Sequence, residues 1–143
     1  MLGRLARWLR LLGADVLYDP TLDGAAMLRR ARAEGRLLLS ADKRLRTSPA
    51  VLFIRSANFR DQLREVIARV PLPAKPLSRC SRCNDLLEAI SPQAAGRRVP
   101  PFVLASQRQF ACCPGCGRIY WEATHPERIR RELAALRQRP AGG

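Results

Sequence analysis

Five cysteines and twelve acidic residues hold most of the chemistry available to this sequence, because it contains a single histidine, His125. Four of the cysteines fall in two identical spacings, Cys80-Ser-Arg-Cys83 and Cys113-Pro-Gly-Cys116, with 29 residues between them. Each pair can bite a metal from one tight turn, and two such turns complete a tetrahedron of thiolates, for which zinc is the fitting ion. Four thiolates leave no open coordination position, so the zinc expected here is structural. A pair of disulfides and a redox dithiol are the competing readings; a reducing compartment disfavours the first, and the second needs only one pair. Asn84 and Gly117, each directly after the second cysteine of a pair, tolerate the left-handed backbone that such turns require. Cys112 is left over, and a register slipped onto it would have a longer Cys-x-x-x-Cys spacing and poorer turn chemistry than Cys-Pro-Gly-Cys-Gly.

His125 lies in a helix-start sequence and has no second histidine with which to build a metal centre, so histidine-based acid/base catalysis is not expected. The carboxylates remain. Asp42 follows an apolar run, where open α/β sheets form their ligand crevices, while Asp19 and Asp23 lie between another such run and a helix start. Acids gathered from neighbouring strand ends can hold magnesium or manganese for phosphodiester chemistry. Each also has a structural reading, Asp23 as a helix cap and Asp42 as a turn residue.

The elements that would position these residues follow from periodicity. Residues 2–12 place Leu2, Leu5, Ala6, Trp8, Leu9 and Leu12 at helical spacings with Arg4, Arg7 and Arg10 between them, and Gly13 closes the helix. Val16-Leu17-Tyr18 reads as a short strand, and Asp23 to Gly35 as a helix with a clear start and stop. Residues 36–39 read as a buried strand whose apolar part is Leu37-Leu38-Leu39, 51–54 is a continuous apolar run of the kind found in parallel sheets, and Asn58 caps a further helix carrying Leu63, Val66, Ile67 and Val70. Pro71-Leu-Pro-Ala-Lys-Pro76 is a stiff linker. Beyond it come the two cysteine pairs, turn signals near Gly96, the apolar run Phe102-Val103-Leu104, a strand over 118–121, and a C-terminal helix opened by Thr124-x-x-Glu127. The fold class is therefore α/β in residues 1–74, followed by a zinc ribbon with a C-terminal helix in residues 75–143. The first helix starts at residue 2 with no preceding strand and no capping side chain.

The chain carries 26 Lys+Arg against 12 Asp+Glu, a formal +14, nearly all of it arginine. Each half contributes +7, with 14 basic and 7 acidic residues in 1–74 and 12 and 5 in 75–143. A field spread this way favours a polyanion, RNA or DNA, with strongly salt-dependent binding. Arg4, Arg7 and Arg10 are the candidates for phosphate contacts. No stretch of 18 apolar residues is present and the arginines interrupt any signal-peptide core, so no membrane association and a cytoplasmic location are expected.

With these residues laid out, the sequence resembles the Mut-seven C-terminal RNase domain family, PIN-like nucleases with a zinc ribbon behind them. The resemblance rests on MLGRLARWLRLLG at 1–13, the acid segment 19–23, EGRLLLSAD at 34–42, CSRC, Arg98-Val99-Pro100-Pro101, and CPGCGRIYW at 113–121. It implies a PIN-like three-layer α/β fold with a mostly parallel sheet and metal-dependent RNA cleavage at a carboxylate cluster. Asp42, in Leu-Ser-Ala-Asp, matches the acid ending the family's Leu-Thr-Arg-Asp type motif, and Asp23 matches the acids opening its second helix. The family's remaining key acid ends a first strand before the Met-Leu-Gly segment, with which this sequence begins; a misassigned or truncated start is the favoured explanation. Two function classes stand: a magnesium- or manganese-dependent ribonuclease, or a catalytically inactive RNA-binding or protein-interaction module.

Overall fold

In the computed structural model, residues 2–72 and 78–121 are described, together with residues 131 and 135. Most of the expected proline-rich linker, and the capping box and His125 of the expected C-terminal helix, lie outside the described residues.

Helix α1 (Gly3–Leu11) begins without a side-chain cap and ends in Leu12 and a left-handed Gly13. Helix α2 (Gly24–Glu34) is delimited on both sides: the Asp23 carboxylate accepts from Ala26 N–H, and Gly35 adopts φ +64° as its cap. Strands β1 (Leu38–Ser40) and β2 (Val51–Phe53) pair in parallel with Leu39 opposite Leu52, and helix α3 (Phe59–Arg69) follows, capped by Asn58. The residues linking β1 to β2 include a single 3-10 turn, Lys43–Leu45.

Leu5, Leu9, Leu12, Leu52, Ile54, Leu63 and Val66 form one buried cluster that welds α1 and α3 to the sheet, with Leu39 packed against it. Alternation along a strand turns the buried Leu38 to the other face, and α2 packs along β1. The layering is helix, sheet, helix, as the α/β reading requires.

One expected strand is absent. Val16-Leu17-Tyr18 pairs with no strand among the described residues; the N–H of Val16 donates to Asn84 Oδ1 and its C=O accepts from Arg10 Nε. Side chains thus satisfy both backbone groups of Val16, which a ladder would otherwise have used. The parallel sheet accordingly has two strands among the described residues, fewer than a PIN-like three-layer domain implies.

A separate sheet follows, β3 (Glu88–Ile90), β4 (Phe110–Cys112) and β5 (Ile119–Trp121), antiparallel in that order. Between β3 and β4 lie two short helices, α4 (Pro92–Ala95) and α5 (Pro101–Ser106), separated by a 3-10 turn. The apolar run 102–104 is therefore helical. Pro101 starts α5, whose Val103 joins Ala95, Val99 and Phe110 in a second buried cluster. This also accounts for the Arg98-Val99-Pro100-Pro101 stretch: Arg98 donates to Gly117 O, Val99 fills the core, and the prolines set the helix start.

Candidate metal centre and acid rim

The two cysteine pairs adopt the same turn. Asn84 N–H donates to Cys80 O at 2.9 Å, and Gly117 N–H to Cys113 O at 2.8 Å. Cys80 N–H donates to Asp85 O, and Cys113 N–H to Arg118 O. Asn84 and Gly117 hold φ of +68° and +77°, the left-handed values their types allow. At Gly115 a Cβ would meet the Asp85 carboxylate, so a larger residue there displaces that side chain.

These matched turns bring the ligand atoms of Cys80, Cys83, Cys113 and Cys116 within 4.8 Å of one another. Cys80 Sγ and Cys116 Sγ are 3.7 Å apart. A tetrahedron with Zn–S bonds of about 2.3 Å has sulfur–sulfur edges of about 3.8 Å, so the Cys80–Cys116 pair stands at the separation a zinc ion needs, with the other two sulfurs close by. The four cysteines could hold such a metal. Cys112, in β4, lies outside this group, with its sulfur 3.6 Å from Gly117 O and 3.7 Å from Cys113 O.

Tyr120 supports the site from β5. Its hydroxyl is 3.1 Å from Cys80 Sγ, accepts from Ser81 N–H at 3.1 Å, and is 3.1 Å from Ser81 Oγ. Burial works against the Cys80 thiolate, and the hydrogen bonds from Tyr120 and from Cys83 N–H outweigh it, holding the thiol at about 6. Cys116 beside it pushes Cys83 up to about 12. Cys83 thus holds its proton until a cation takes its place, while Cys80 favours the thiolate.

Arg10 stands apart from Arg4 and Arg7, the other two candidates for phosphate contacts. Arg10 is 7% exposed, and its guanidinium donates to the carbonyls of Val16, Ser81 and Arg82, out of reach of a phosphate. Burial pulls it below its ordinary range, while Cys80 and Cys83 act in the opposite direction. Its position one turn beyond buried Ala6, at the border of the apolar stripe, was the available signal. Arg4 and Arg7 are exposed, and Arg4 lies over the Phe59 ring at 4.6 Å, which in turn contacts Trp8.

The acids sit beside a cavity of about 730 Å³ that Leu5, Met27, Leu38 and Val66 line along β1, and whose lining includes Asp19 and Asp42. Asp42 follows β1 and caps the 3-10 turn through Arg44 N–H. Its carboxylate also accepts from Arg44 Nη2 at 2.8 Å and Nε at 3.1 Å, and these bonds hold its pKa below the usual range. Asp42 Oδ2 is 3.3 Å from where a Cβ on Gly24 would stand, so Asp42 lies against the first residue of α2, next to Asp23. Asp23 Oδ1 is used by the α2 cap at 2.8 Å. Asp19 is folded onto Thr21, whose N–H and hydroxyl lower its pKa. Among the described residues, the four cysteines are the one group of three or more side chains close enough to share an ion.

A family model described as Mut7-C RNAse domain matches residues 1–133. The chain belongs to the Mut7-C RNAse domain family. No curated protein and no solved structure matches it significantly. As a Mut7-C RNAse domain it carries a nuclease-like function at the family level, with RNA as the substrate class that the family's description suggests. Among the described residues of this Mut7-C RNAse domain, no helix is long and apolar enough to cross a membrane.

Proposed function

We propose that this chain is a metal-dependent ribonuclease of two units, a PIN-like nuclease domain at 1–74 and a zinc ribbon at 75–143. Asp42 and Asp23 would offer carboxylate oxygens to magnesium or manganese, and zinc at Cys80, Cys83, Cys113 and Cys116 would be structural. Support comes from the family match and from one observation above all: the Asp42 carboxylate stands against Gly24, the residue that follows Asp23. A hard divalent cation bound there would supply charge neutralisation at the scissile phosphate and a more acidic water. The chain's own contribution is to hold two acids at the end of β1 and the start of α2, with exposed Arg4 and Arg7 to bind the phosphate backbone. Arg44 pairs with Asp42 from an 88% exposed side chain, so it is readily displaced by a cation. Five free cysteines suit a reducing compartment, and the cytoplasm is the location we propose.

The deciding experiment is RNA cleavage by Asp42→Asn against the unsubstituted chain. Loss of magnesium- or manganese-stimulated cleavage with RNA affinity and zinc content preserved is the expected result. Unchanged cleavage removes Asp42 from the mechanism. One observation favours the second reading, an inactive RNA-binding module: both acids already serve local caps, and no third acid joins them among the described residues. Salt-sensitive RNA binding with no metal-stimulated cleavage by the unsubstituted chain selects that reading.

A further inference from the structure

Residues 14–18 follow α1 without regular secondary structure, and both backbone polar groups of Val16 are held by side chains. Asn84 Oδ1 accepts from Val16 N–H at 2.9 Å, and Arg10 Nε donates to Val16 O at 2.8 Å. The same two side chains grip the first cysteine turn. Arg10 Nη1 donates to Ser81 O at 3.0 Å and to Arg82 O at 3.1 Å, the two residues between Cys80 and Cys83. Asn84, itself 7% exposed and next to Cys83, closes the turn through its N–H on Cys80 O and donates from Nδ2 to Asp15 Oδ1 at 2.6 Å. The path of residues 15 and 16 is thus set by the path of residues 81–84.

That second path depends on the sulfurs. The carbonyls of Ser81 and Arg82 converge on Arg10, and Asn84 keeps its left-handed backbone, while Cys80 and Cys83 wrap a common centre. Four thiolates around a divalent ion leave about −2 of charge, which a buried guanidinium partly offsets. Without the ion the four sulfurs share no bonded centre, and the turn loses the constraint that shapes it.

We propose that metal loading at the four thiols fixes the segment leading to Asp19 and Asp23, with Arg10 and Asn84 as the positioning residues that transmit it. This rests on the zinc reading above and not on the acids being catalytic. Such coupling is reciprocal, so a change in the segment must alter metal affinity at a site whose cysteines lie more than sixty residues away along the chain.

The test uses the full chain and zinc. Competition with a chromophoric chelator compares Asp15→Ala, which removes the partner of Asn84 Nδ2, with Asp61→Ala, an exposed acid on α3, as control. Asp15→Ala is expected to weaken zinc binding about 5-fold and the control to leave it unchanged. Hydrogen exchange supplies an independent readout: removing zinc is expected to speed exchange at Val16 while Leu38 and Ile54, bonded within the parallel sheet, keep their protection. Unchanged zinc affinity in Asp15→Ala, or Val16 exchange indifferent to zinc, overturns the coupling. So does simultaneous loss of protection at Leu38 and Ile54, which would make zinc an anchor of the whole fold. A chain that takes up no zinc ends the metal reading and the coupling together, an outcome distinct from zinc uptake without coupling.

Discussion

The Tyr120 hydroxyl is the side-chain group that separates Cys80 from the other three thiols. It offers a hydrogen bond to the sulfur and is fixed by Ser81, so it favours the thiolate in the position a metal requires. Tyr120→Phe keeps the ring's packing in β5 and deletes that bond. The expected outcome is a roughly 10-fold loss of zinc affinity, the lower end for second-layer partners of a metal ligand. The sign of the pH effect follows. Without the bond the Cys80 thiol rises from about 6 toward its ordinary 9.0, so zinc uptake by Tyr120→Phe requires higher pH than uptake by the unsubstituted chain. Chelator competition across pH checks both, and coincident uptake curves would remove Tyr120 from the site. A second acid-side effect belongs to Asp15. Bonds from Arg36 and Asn84 lower its pKa, so their stabilisation is present above the ordinary carboxylate value of 3.8 and is lost as pH falls through the lower folded value. The contact between segment and ribbon should therefore weaken only in strong acid, measurable as acid-induced exchange at Val16.

At the scale of elements, the start of α2 matters most because it sets the place of both acids. Gly24 is its first residue, and a Cβ there would stand 3.1 Å from Leu45 Cδ1 and 3.3 Å from Asp42 Oδ2, tight enough to push both by a few tenths of an ångström. Alanine is the better helix former by about 1 kcal/mol in helix interiors, so Gly24→Ala should leave thermal stability close to unchanged. Cleavage should nonetheless fall, because the Asp42 carboxylate moves. Stability and RNA cleavage measured on the same variant decide it; an active Gly24→Ala would detach Asp42's position from function. The caps of this region were legible in the sequence: Asp23, Gly35 and Asn58 are residue types with a local job, and each does it. The cysteine turns were legible for the same reason, since spacing and the following Asn84 and Gly117 are local features. Val16-Leu17-Tyr18 was misread because strand formation needs a partner, and whether one exists is not a local property. Arg10 was misread because its acceptors, Ser81 and Arg82, lie 71 and 72 residues away. The 102–104 run shows the remaining ambiguity, a short apolar triplet that fits strand and helix equally until Pro101 and the buried Val103 decide it.

Across the whole molecule, polar contacts that include buried Arg10 and Asn84 join the chain after α1 to the first cysteine turn, and the other arginines among the described residues are mostly exposed. A formal charge of +14 makes RNA association steeply salt-dependent, with log K falling against log salt by about 0.7 per neutralised phosphate on a single strand. The structure divides the three arginines of α1 by role, and the salt slope can read that division. Arg4 and Arg7 are on the surface, so replacing both by alanine should flatten the slope by about 1.4 if each neutralises one phosphate. Arg10 is turned inward onto carbonyls, so Arg10→Gln should leave the slope unchanged while weakening zinc retention, because a neutral amide cannot fork between Val16 and the cysteine turn. Filter binding of single-stranded RNA from about 50 to 300 mM KCl spans the range in which counterion release dominates. Equal slopes for the Arg4/Arg7 double variant and the unsubstituted chain would place RNA on another face. A flattened slope for Arg10→Gln, with zinc retained, would mean that the inward guanidinium swings out to the phosphates after all.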